Sequence, residues 1–145
     1  MFFHHKKLFV LMLALLVVSI TACNQATGED TTVSPLTKNS DGYTDINVDQ
    51  LADMLEAKDF TFVNVHIPYA GDIPQTDFSI PFDQIEANLS QLPTDKDAPL
   101  IIYCRSGNMS TQAAETLVSL GYTNVMEVDG GMNAWQANSF ELTND

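Results

Sequence analysis

Two hydrophobic rhythms alternate along this chain, short β-branched runs and apolar residues at helical spacing, and the alternation is sustained only beyond residue 41. Tyr43 to Ile46 has the composition of a short strand, and Val48 to about Lys58 presents Leu51, Met54 and Leu55 on one helical face. Phe60 to Val65 is a second apolar run. Pro68, Pro74 and Pro81 then predict a looped crossing over residues 69–81, because proline removes a backbone donor and breaks a helix. A helix is expected from about Asp83 to Leu89. Leu100 to Tyr103 is too short for a helix and reads as a buried strand ending at Cys104. From Ser110 the residues Ala113, Ala114, Leu117, Val118 and Leu120 recur at helical spacing, with Ser110 as expected N-cap and Gly121 beyond the last turn. A strand from Asn124 to Val128 and a short helix around Asn133 to Gln136 complete the series. Such strand–helix alternation predicts an α/β fold: a mostly parallel central sheet with helices on both faces, and ligands bound at the strands' carboxyl ends. Cys104 lies at one of these ends.

The first 41 residues follow a different pattern. Lys6 and Lys7 precede an unbroken apolar run from Leu8 to Val18, closed by Ser19-Ile20-Thr21-Ala22-Cys23. A basic start, a short apolar stretch and small residues before a cut describe a secretory signal; a membrane span needs about 20 apolar residues. Ile20 to Cys23 is similar to the bacterial lipobox, which implies cleavage before Cys23 and acylation of its thiol. The expected organisation is a lipoprotein signal peptide over 1–22, a polar tether over 23–41 carrying lipidated Cys23, and one domain over 42–145. The tether would span roughly 20 Å as a random coil. This organisation places the domain outside the cytoplasm, anchored to the bacterial cell membrane or outer membrane.

Charge supports an anchor of lipid over one of basic residues. The whole chain carries a formal net charge of −13, and all 19 acidic residues lie beyond Cys23. Lys6 and Lys7 leave with the signal, so four basic residues stand against those 19, a formal charge of −15. That balance excludes nucleic acid and anionic head groups as electrostatic partners. With Cys23 assigned to lipid, Cys104 has no partner for an internal disulfide, so its thiol is expected to serve chemistry. After removal of the signal His66 is the single histidine, too few ligands for a zinc centre, and no metal or cofactor is expected.

The segment Cys104-Arg105-Ser106-Gly107-Asn108-Met109-Ser110 joins strand to helix. Unpaired amides and the positive end of a helix dipole favour an anion such as a thiolate there, and Arg105 adds a fixed cation. Gly107 permits a tight turn, and Ser106 and Asn108 are expected to close the loop by side-chain to backbone bonds. Cys104 is thus the candidate nucleophile, with Arg105 to Ser110 as its anion-binding loop. Trp135 is expected to anchor the core, His66 to be structural, and Gly130 and Gly131 to form a tight turn near the loop.

These residues also resemble a family. Cys104-Arg105-Ser106-Gly107-Asn108 is similar to the active-site loop of rhodanese-like sulfurtransferase domains. Phe62-Val63-Asn64-Val65-His66 is similar to the family's strand ending in Asp-Val-Arg, and Gly71-Asp72-Ile73-Pro74 with Ile80-Pro81 to its Gly-His-Ile-Pro and Ile-Pro segments. Gly130-Gly131-Met132-Asn133-Ala134-Trp135 matches its Gly-Gly-x-x-Ala-Trp signature. The resemblance spans roughly Tyr43 to Phe140 and implies a rhodanese-like fold. It implies that Cys104 takes sulfur from a small donor as a persulfide and yields it to a thiol or cyanide-like acceptor, or to a protein acceptor. Met109 stands where the family has arginine, which puts thiosulfate in question as donor. Asn64 and His66 replace Asp and Arg, and Asp72 stands where His is frequent, so a structural ion pair is expected to be absent or rebuilt. A non-catalytic docking module is the alternative. A cysteine phosphatase or arsenate reductase is a weaker one, since a Cys-x5-Arg loop requires arginine where Ser110 stands.

Overall fold

The computed structural model describes residues 35–143; the expected signal over 1–22, Cys23 and the expected tether as far as residue 34 lie outside the described residues. Ordered contacts are present by Lys38, which bridges antiparallel to Thr44. Five strands, β1 (Thr44–Ile46), β2 (Thr61–Asn64), β3 (Phe78–Ser79), β4 (Leu100–Tyr103) and β5 (Val125–Val128), form one sheet in the order β1-β5-β4-β2-β3. Every pairing in it is parallel, so the predicted class holds and the sheet is parallel throughout.

The central strands are buried on both faces, which is why they read as continuous apolar runs. Leu100, Ile102 and Cys104 face one side with Val63 and Val125; Ile101 and Tyr103 face the other with Phe62, Met126 and Val128. The first side is covered by α2 (Asn108–Ser119) through Ala113, Ala114 and Leu117. The second is covered by α1 (Val48–Leu55) through Val48, Leu51 and Leu55, and by α3 (Gly131–Ala137) through Met132 and Trp135. Trp135 is a core anchor, stacked on Phe140 and donating from Nε1 to the Glu141 carbonyl.

Several boundaries depart from expectation for local reasons. Asn47 opens α1 with a capping box, its side chain accepting from the Gln50 amide while the Gln50 side chain accepts from its own. This helix stops at Leu55 because the next residues, Glu56 and Ala57, are exposed and supply no inward apolar position. The expected helix at Asp83 to Leu89 is instead two 3₁₀ segments, Phe82–Gln84 and Glu86–Gln91. Asn88 leaves helical geometry, and its side chain bonds the Gln84 carbonyl in competition with a backbone ladder. The looped crossing contains the two-residue edge strand β3, which pairs with Val63 and Asn64 between Pro74 and Pro81. Helix α3 begins two residues earlier than expected.

Candidate functional site

The turn after β4 is shaped by two glycines. Gly107 caps α2 with φ 98°, a left-handed conformation that side chains rarely adopt, so the chain enters the helix at Asn108. The expected N-cap, Ser110, is therefore already inside the first turn, with its side chain buried beneath it. Gly131 is required by close approach: a Cβ there would lie 2.1 Å from the Cys104 carbonyl oxygen. The amides of Met132 and Asn133, at the start of α3, donate to the Cys104 and Arg105 carbonyls, both at 2.9 Å. The loop is thus fixed from beneath by the last helix. The side chains of Ser106 and Asn108 make no bond to the loop backbone among the described residues; Asn108 Oδ1 accepts from Gln112 instead.

Cys104 is buried, with its sulfur 3.1 Å from the Gly107 amide, which donates to it, and 3.3 Å from Ser110 Oγ. Ser110 Oγ also lies 3.0 Å from the Gly107 carbonyl and contacts Glu127 Oε1 in a short hydrogen bond. Glu127 is the residue that sequence reasoning missed. It is almost fully buried on β5, facing α2, and is paired with Asp45 on β1 and Ile102 on β4. Burial pushes its pKa up to about 7; Asp45 and Asp129 act in the same direction, and the Ser110 bond opposes them.

Over this arrangement opens a cleft of about 630 Å³ lined by Ser106, Gly107 and Asn108 of the loop, Thr111 and Gln112 of α2, and the carboxylates Asp45, Glu127 and Asp129. Lysine and arginine do not line it. Arg105 points elsewhere, into a smaller depression with Ala70, Met132, Gln136 and Leu142, so the loop cation expected beside the thiol faces a different side. Met109 is half-buried against the apolar core beneath α2. His66 makes no hydrogen bond to Cys104; its Nδ1 is buried without a partner, and burial followed by Arg105's charge lowers its pKa. Asn64 is buried and rebuilds a link in place of an ion pair, donating to the Gly71 carbonyl and Asp72 Oδ1 and accepting from the His66 amide. Among the described residues no group of three or more His, Cys, Asp or Glu side chains is disposed to hold a metal ion.

The rhodanese-like domain family matches residues 37–138, which takes in every strand and helix of the fold. The chain belongs to this family. A relative from Allochromatium vinosum, named a sulfurtransferase, is 34% identical over 57% of this chain and 77% of its own length. A Pseudoalteromonas translucida protein named a thiosulfate sulfurtransferase is 32% identical over 63% of this chain and 88% of its own. The crystal structure of a rhodanese-related protein from Thermoplasma volcanium superposes with a TM-score of 0.60 at 25% identity, covering 70% of this chain and 98% of that one. The rhodanese turn is the segment whose geometry is set by Gly107 and Gly131.

Proposed function

We propose that this rhodanese-family chain is a sulfurtransferase that carries sulfane sulfur as a persulfide on Cys104. The observation that carries the reading is the Cys104 sulfur held at the carboxyl end of β4, under the Gly107 amide and the first turn of α2. Amides that have no partner within the helix favour negative charge on that sulfur. In the proposed step the thiolate forms a new S–S bond to the donor's outer sulfur, and the donor's own bond to that sulfur breaks, its electron pair leaving with the donor remnant. An acceptor thiolate then removes the outer sulfur and restores the Cys104 thiolate, a ping-pong cycle. Ser106, Gly107, Asn108 and Ser110 form the receiving loop.

Three carboxylates line the cleft and Arg105 faces away from it, which supports a donor of low negative charge, such as the persulfide of a small thiol, over dianionic thiosulfate. The acidic chain and the lipobox-like Ile20 to Cys23 segment support action at the bacterial envelope, with Cys23 acylated and the domain facing away from the cytoplasm.

The test is mass spectrometry of the full-length chain after separate exposure to thiosulfate and glutathione persulfide, followed to the peptide carrying Cys104. Gain of one sulfur there, greater with glutathione persulfide, reversed by cyanide and absent in Cys104→Ser, is the expected result. A Cys104 that stays bare with both donors would overturn the reading in favour of a docking module.

A further inference from the structure

The Ser110 hydroxyl has three neighbours that can accept its hydrogen, Cys104 Sγ, the Gly107 carbonyl and Glu127 Oε1, and only one hydrogen to give. Cys104 and Glu127 can each carry a proton of their own, and the geometry accommodates two arrangements of equal net charge. In the first, Cys104 S–H donates to Ser110 Oγ, which donates to the Glu127 carboxylate. In the second, the Glu127 carboxylic acid donates to Ser110 Oγ, which donates to the Cys104 thiolate. Passing between them breaks the S–H bond as Ser110 takes that proton, and breaks the Ser110 O–H bond as Glu127 takes the other. Electrons, charge and protons balance, and nothing is exchanged with solvent.

We propose that Glu127 is a positioning residue that, through Ser110, shares one proton with Cys104 and thereby fixes the fraction of thiolate available to attack a sulfur donor. The proposal rests on Cys104 being the nucleophile of the reaction proposed above. Glu127 is suited to the task because the groups acting on it keep its proton affinity well above that of an exposed carboxylate. Asp45 faces it from β1, Asp129 from the turn after β5, Tyr43 stands close before β1, and Ser110 and Cys104 contribute from α2 and the end of β4. None of the groups acting on it is a lysine, arginine or histidine. Burial is the largest cause and the acidic neighbours add to it.

While one proton is shared, thiolate content depends on the ratio of the two arrangements and not on pH; the pair titrates in two macroscopic steps. The rate of Cys104 alkylation by iodoacetamide, read on its own peptide in the full-length chain between pH 5 and 9, is expected to rise in two steps separated by a plateau. Glu127→Gln should give a single step and alkylate up to about tenfold faster at pH 8, the ratio that one pK unit of coupling gives. Ser110→Ala removes the hydroxyl that donates to the carboxylate in one arrangement and to the thiolate in the other, and should raise the plateau, because the bond lost to the carboxylate oxygen is the stronger one. Superimposable profiles for the unsubstituted chain and Glu127→Gln, or a plateau unchanged by Ser110→Ala, would overturn the proposal. Should either variant fail to fold, ¹³C NMR of the Glu127 carboxyl in the unsubstituted chain decides: capping Cys104 should convert a two-step titration into one step, and insensitivity to capping overturns proton sharing. A two-step profile in a chain that takes up no sulfur would leave this inference standing and remove the sulfurtransferase reading. A single-step profile in a chain that does take up sulfur would do the reverse.

Discussion

Tyr103 and Cys104 are neighbours at the end of one strand, yet the polar groups they meet on opposite faces of the sheet are organised on different terms. The Tyr103 hydroxyl accepts from the Ile73 amide, donates to Asp72 Oδ1 and touches Thr76 Oγ1, which itself reaches the Ile73 carbonyl. Across the sheet, Ser110 offers one hydrogen to three acceptors, two of which belong to Gly107 and Glu127, residues that line a cleft. The first set fastens the crossing loop to the sheet, and the second, whose buried Glu127 has its pKa pushed up to about 7, is responsive to protonation. Buried polar groups acquire chemical use where burial brings one of them to exchange its proton near neutral pH.

The largest effect that sharpens this contrast is on stability at Glu127. An acid whose folded pKa of about 7 exceeds its unfolded value near 4.5 binds its proton more tightly when folded. Its contribution to stability is therefore present below about pH 4.5, declines as pH rises, and is fully lost above about pH 7. Glu127→Gln should raise unfolding free energy at pH 8 by as much as about 3 kcal/mol while changing it little at pH 4.5, as read from urea midpoints at both pH values. Equal shifts at the two would break the comparison.

Tyr103→Phe comes next. It leaves the Ile73 amide and Asp72 without the hydroxyl at a buried site and should cost about 2 kcal/mol, with sulfur uptake at Cys104 retained once the chain is folded. Loss of uptake in a folded Tyr103→Phe protein would show that the two faces are coupled. The smallest effect is expected at Met109→Arg. Its side chain is engaged with the core, so the apparent KM for thiosulfate should fall by less than about threefold, under about 0.7 kcal/mol, in steady-state assays. A fall of tenfold or more would place that position in the cleft.

The fold was legible because its signals are local. The short unbroken apolar run of Leu100 to Tyr103, the prolines around the crossing and the helical stripe of Ala113 to Leu117 are each carried within a single element. Site details that depend on remote segments were not legible. Arg105's direction is set by a depression that Ala70 and Leu142 complete, far from it in sequence. Ser110 was expected to cap a helix because a left-handed Gly107, three residues earlier, is invisible to apolar periodicity. Glu127 did carry a signal: a charged residue flanked by Met126 and Val128 in a strand covered on both faces has no solvent side to occupy. Without knowledge that β5 lies between β1 and β4, it reads as an ordinary exposed position.

That strand order also governs when the thiol can acquire its surroundings during folding. Strand β1, made first, has β5 as its sheet neighbour, and the Cys104 carbonyl waits for the Met132 amide. A growing chain therefore has Cys104 long before it has the carboxyl partner on β5 or the seat supplied by α3. Until residues beyond Asn133 have emerged the cysteine sits on an unfinished sheet, so its surroundings are timed by the completion of the domain, a consequence of closing long-range contacts last.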